Sequence, residues 1–140
     1  MRASNEQGLR GVRGWLLLLC GCLLVWQPAN LGIRVSHALP SLPQRGVPLG
    51  AILILSVAVT AVGFAAGLSL LGRRRIGVEL AVTALLASAT LDLVIFATPY
   101  MPNNRMPGDT PFYVLASLLY HGGWLLYLGR SRRVAVTCTE

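Results

Sequence analysis

Four apolar stretches dominate the chain, separated by short segments rich in arginine, proline or asparagine. An α-helix rises about 1.5 Å per residue, so about 20 apolar residues are needed to cross the hydrocarbon of a bilayer. LGAILILSVAVTAVGFAAGLSLL (residues 49–71) and IGVELAVTALLASATLDLVIFAT (residues 76–98) reach that length, with only Gly72 and three arginines between them. That spacing predicts a tight helical hairpin. A further run, residues 112–128, follows the link PYMPNNRMPGDTP, whose prolines forbid continued helix. The first run is less regular, because WLLLLCGCLLVW covers half a bilayer before QPAN interrupts it. It is expected to continue, kinked at Pro28, as a span over residues 14–35. The expected fold is therefore all-α, a membrane-embedded four-helix bundle forming a single transmembrane domain over residues 1–140. A rival reading of the first run is a processed lipoprotein signal, with arginines, an apolar stretch and the box LCGC ending at Cys22; Cys20 stands where Ala or Ser is usual.

Composition agrees with lipid as the solvent: 54% of residues are hydrophobic, and all the positive charge comes from arginine. Arg2, Arg10 and Arg13 precede the first run, Arg73, Arg74 and Arg75 join the second to the third, and Arg130, Arg132 and Arg133 follow the fourth. In a four-span chain these clusters share one side, leaving Arg34, Arg45 and Arg105 to the opposite loops. The positive-inside rule then puts both termini of this multi-pass chain in the cytoplasm. Because no basic stretch is interleaved with aromatics outside the apolar runs, nucleic acid is not an expected partner.

Polar and small residues inside the spans carry the remaining information. Ser56, Thr60, Gly63 and Gly67 lie on one helical face and end in G-x-x-x-G, a groove suited to another helix; packing within the bundle is preferred over a homodimer face. Gly122 and Gly123 are expected to let a neighbouring backbone approach. On the third span, Glu79, Thr83, Ala87 and Thr90 form one stripe, while Ser88 and Asp92 lie nearly opposite, so this helix should be surrounded by protein or line water. Glu79 is close enough to the arginine turn to pair with it at the interface. Asp92 lies deeper, where a charged acid costs roughly 2.5 to 3.5 kcal/mol on insertion scales. It needs a partner or a proton. Ser117 and His121 share a face of the fourth span at comparable depth, so the expected arrangements are an Asp92–His121 contact, His121 bonded to a backbone carbonyl of another helix, or a proton or ion path through both.

Other chemistry is thin. Cys20, Cys22 and Cys138 suit small apolar fillers better than a soft-metal site, which would need a fuller ligand set. Haem would need a second axial ligand, and the other histidine, His37, falls in the outer loop. Trp124 and Tyr127, with Tyr113, Tyr120, Trp15 and Trp26, suit interface anchoring. No triad order, phosphate loop or zinc spacing is present, so neither catalysis nor a cofactor is expected.

The ends of the chain share a pattern with known proteins. Gly11, Gly14, Trp15 and Leu16 at the start, and Trp124, Tyr127, Ser131, Arg133, Val134 and Thr137 at the close, resemble a bacterial family of small four-span membrane proteins filed under a domain of unknown function. The chain departs from that pattern at Leu126, where the family tends to a proline, and at Cys138, where it tends to an apolar residue. The resemblance implies four spans and no particular activity, and it marks Arg130, Arg132 and Arg133 as a docking or lipid-headgroup element. The expected function is an accessory or scaffold subunit that packs against membrane lipids and against itself or a larger complex. The alternative is an oligomeric conduit for protons, ions or small solutes through Asp92 and His121.

Overall fold

The computed structural model describes residues 12–102, 106 and 108–138. Arg2, Arg10, Gly11 and Arg105, and the side chain of Arg133, lie outside the described residues. Everything described is helix or short connection. Among these residues, three helices are long and apolar enough to cross a membrane: the near-continuous run Trp15–Leu71, then Ile76–Ala97 and Thr110–Arg130.

The run Trp15–Leu71 is two limbs folded on each other. The first limb comprises α1 (Trp15–Gly21), a π-helical segment (Cys22–Trp26) and α2 (Gln27–Ala38). Pro28 has no N–H to give to the carbonyl four residues back, and its ring crowds that turn. A π turn just ahead of it widens the helix by one residue, with the Gln27 N–H donating to the Cys22 carbonyl. The helix thus runs through QPAN as far as Ala38, three residues beyond the expected end, with a π turn where a proline kink was expected. The chain then reverses through Leu39–Ser41 into α3 (Leu42–Leu71). Gly46, at φ 62° and ψ −146°, breaks the first turn of α3 and places Pro48 at the start of the regular helix, where its missing donor does no harm.

The two limbs are antiparallel and very close. A Cβ on Gly63 would stand 2.0 Å from Gln27 Oε1, and one on Gly67 would stand 2.7 Å from Leu24 Cγ. The G-x-x-x-G face therefore receives the first limb of the same chain. The turn into α4 (Ile76–Ala97) is equally tight: Arg73 takes a left-handed φ of 59°, its N–H donates to Leu70 and that of Arg74 to Ser69, both at 3.0 Å. This is the Schellman closure of a helix, with arginine where glycine is usual. Gly77 then meets the end of α3 almost backbone to backbone, since a Cβ there would lie 2.7 Å from the Leu70 nitrogen.

α4 packs along α3, and α5 (Thr110–Arg130) packs along α4. After α5 the chain bends at Ser131, whose hydroxyl accepts from the Val134 N–H, into the short α6 (Arg132–Thr137). α6 folds back, so that Val134 and Cys138 join a core with Leu16, Leu19, Leu70 and Leu128 at the arginine end. Burial pushes the Cys138 thiol up from its ordinary value. A second apolar cluster, built on Ala38, Leu49, Ile52 and Ile95, closes the other end. Between the two lies a polar layer. Outward, the limbs are apolar: Leu17, Val25, Ile33, Ile54, Leu55, Leu115, Leu119 and Leu126 are all exposed.

A polar chamber between the limbs

The first limb supplies the residues that organise the polar layer. Because the helix continues through Pro28, Gln27, Asn30 and Arg34 fall on one face at intervals of three and four. Arg34 reaches across to α4, where its Nη2 donates to Asp92 Oδ1 at 2.8 Å. The side chains of Arg34 and Asp92 are 33% and 14% exposed, so the charges are largely withdrawn from solvent and each depends on the other. Gln27 Nε2 donates to Ser88 Oγ at 2.8 Å. Its Oε1 is buried against Gly63 without a hydrogen-bond partner. Turning the amide over would orphan an N–H in place of the carbonyl, so one end of this group is unsatisfied in either orientation.

The fourth limb extends the network. Ser117 Oγ donates to Asp92 Oδ2 at 3.0 Å. The His121 Nδ1–H donates to the Ser117 carbonyl at 2.8 Å, and the same nitrogen stands 3.2 Å from Ser117 Oγ. A carbonyl only accepts, so this contact puts the ring proton on Nδ1. The partner of Asp92 is thus Arg34, with Ser117 between the acid and the buried His121. The expected Asp92–His121 contact is replaced by this relay, and the carbonyl that His121 bonds belongs to its own helix, one turn back, and not to another helix as the alternative expected. Arg34, counted by sequence among the outer loop cations, is instead on the helix, one turn from its end.

These groups surround a cavity of about 270 Å³ lined by all four limbs. Ser56 and Thr60 form part of its wall, but their hydroxyls are already committed to the Ile52 and Ser56 carbonyls at 2.8 Å. Toward the arginine end the cavity stops at Leu23, Leu85 and His121, beyond which the core is apolar.

Several sequence expectations land elsewhere. Thr83 and Thr90 are exposed, with their hydroxyls returned to the Glu79 and Leu86 carbonyls at 2.9 Å, so the stripe that made α4 look polar on two faces asks nothing of a neighbour. Glu79 is exposed and makes no ion pair with Arg73, Arg74 or Arg75 among the described residues. A Cβ on Gly122 or Gly123 would meet nothing within 4 Å, so within this chain no backbone approaches them. Trp124 joins an aromatic group, edge-on to Trp15 at 6.4 Å and to Tyr127 at 6.0 Å, which ties the fourth limb to the start of the first. Arg130 and Arg132 are exposed at that end. Gln27 and Asn30 were missed by sequence reasoning, although their spacing to Arg34 was available as a signal once helix was allowed through Pro28.

Comparison with known proteins finds no matching family model, no similar curated protein and no similar solved structure. What the chamber does must follow from its own geometry.

Proposed function

We propose that this is a four-span protein of the bacterial cytoplasmic membrane, both ends cytoplasmic, whose working part is a binding chamber for a small polar group. Its apolar outer surface supports the setting, because leucines and isoleucines exposed in such numbers are stable only in lipid or under a partner. The Trp15–Leu71 fold adds a fourth span to the count if each limb crosses. Arg13, Arg73, Arg74, Arg75, Arg130 and Arg132, at one end among the described residues, support the orientation.

One observation carries the functional reading. The Arg34–Asp92 pair and the Ser117–His121 relay face a cavity that ends against an apolar core at the arginine end. Bundle packing alone would be better served by apolar residues, since a half-buried ion pair seldom outperforms a hydrophobic isostere. The same plug argues against a continuous path through one chain, and so favours binding over conduction. Proteoliposomes under an imposed potential are expected to leak protons no faster than empty vesicles. Fast flux that Asp92→Asn abolishes would instead establish a conduit.

A second reading, the accessory or scaffold subunit, rests on Gly122 and Gly123. They lie open on a limb whose outer face is apolar, a surface on which another helix, from a second copy or a larger complex, would pack closely. Cross-linking through Gly123→Cys tests it, with a homodimer or a defined heterologous adduct as the supporting result.

A further inference from the structure

The chamber has a mouth, and its position constrains what enters. Of the residues lining the cavity, only Trp26, Tyr113, Ala116 and Tyr120 are exposed, with Trp26 at 59%, Tyr113 at 41% and Tyr120 at 38%. All four belong to the first and fourth limbs. Those limbs meet in the arginine half, where Trp15 lies against Trp124. Along its whole length the first limb leans on α3, and its backbone scarcely approaches α5. The gap is bridged by side chains, from Arg34 through Asp92 to Ser117. From Tyr113 to Tyr120 the mouth runs about 10 Å along the flank of the bundle. It is not an axial opening. Around it Ile33, Leu115 and Leu119 are exposed, so a polar interior opens sideways onto an apolar surface.

We infer that this lateral cleft takes the head of a zwitterionic membrane lipid, an inference that rests on the binding-chamber reading above. A soluble solute would have to cross hydrocarbon to reach a sideways mouth, whereas an amphiphile slides its head inward and leaves its chains on the apolar flank. Aromatic lips suit that boundary between head and chain. The charge inside selects the head. Arg34 and Asp92 together are neutral, so a head carrying both signs satisfies both: its phosphate takes N–H groups of Arg34 that Asp92 leaves unused, and its ammonium sits on the Asp92 carboxylate. An anionic head could take the same Arg34 groups but brings no cation for Asp92, so the chamber would carry a net negative charge. A cavity of about 270 Å³ accommodates a head and not a whole lipid.

The test uses the full chain in an uncharged detergent, with thermal unfolding followed as micellar short-chain phosphatidylethanolamine, short-chain phosphatidylglycerol or free phosphoethanolamine is added. Phosphatidylethanolamine is expected to raise the unfolding midpoint by several degrees in a saturable way, and the other two to leave it in place. Ala116→Trp, which fills the mouth, and the paired Arg34→Gln with Asp92→Asn, which removes both charges without leaving either alone, are each expected to abolish the shift. Two variants are used so that a folding defect in one leaves the other informative. An equal shift from phosphatidylglycerol, or a shift surviving in both variants, overturns the inference, because the lipid is then merely annular. Protection by phosphoethanolamine equal to that by the lipid overturns lateral entry while leaving the chamber a binding site. No protection by any of the three overturns the inference, and no detectable binding of any polar molecule removes the chamber reading with it.

Discussion

Arg34 and Asp92 lie 58 positions apart and meet at 2.8 Å, and their mutual dependence can be measured. Breaking a buried pair by removing one partner costs about 3 to 5 kcal/mol, because the survivor is left uncompensated; with Arg34 a third exposed, about 2 kcal/mol is the expectation for Arg34→Gln. Asp92→Asn should cost a similar amount, and the double substitution much less than the sum. A double-mutant cycle read by unfolding in detergent checks this; additive losses would show that the two charges are independent. At this scale the sequence was informative about need and silent about partner. Asp92, Ser117 and His121 stand out as polar groups in apolar runs, and all three line the chamber. Arg34 was legible as a charge but was counted with the outer loops, because it fell at the last position but one of the expected span, whose helix in fact continues to Ala38.

Among the elements, the hairpin between α3 and α4 is the most constrained. Gly77→Ala would put a methyl group 2.7 Å from the Leu70 nitrogen and 2.8 Å from the Ser69 carbonyl carbon, backbone atoms that cannot swing aside. A loss of about 1 to 3 kcal/mol is expected, as for other overpacked contacts. Arg73→Gly should act in the opposite sense, by about 1 kcal/mol, since Arg73 holds a left-handed conformation that costs a side-chain-bearing residue about that much. Thermal unfolding of the two variants checks the pair, and a destabilised Arg73→Gly would mean that this side chain makes a contact worth more than the strain. The arginine run announced the turn from sequence, yet the special role of Gly77 was hidden. Its importance arises from how closely two helices cross, which no local pattern encodes.

Across the whole molecule, hydropathy and loop length made four antiparallel limbs legible, and the G-x-x-x-G face pointed correctly to a close helix contact. What stayed hidden was the gap between the first and fourth limbs, because a cavity is a property of how helices lean and not of what they are made of. The π turn before Pro28 belongs with it: it lets the first limb continue as a helix and present Gln27, Asn30 and Arg34 together. The central claim is that this polar layer is closed by apolar clusters toward both ends of the bundle and is reached from the flank, between the first and fourth limbs. Asn30→Cys, in a background with Cys20, Cys22 and Cys138 replaced by alanine, can be exposed in oriented vesicles to a membrane-impermeant thiol reagent from either side and, separately, to a lipid-soluble one. Labelling by the lipid-soluble reagent alone is the predicted result; labelling by the impermeant reagent from either face would contradict it.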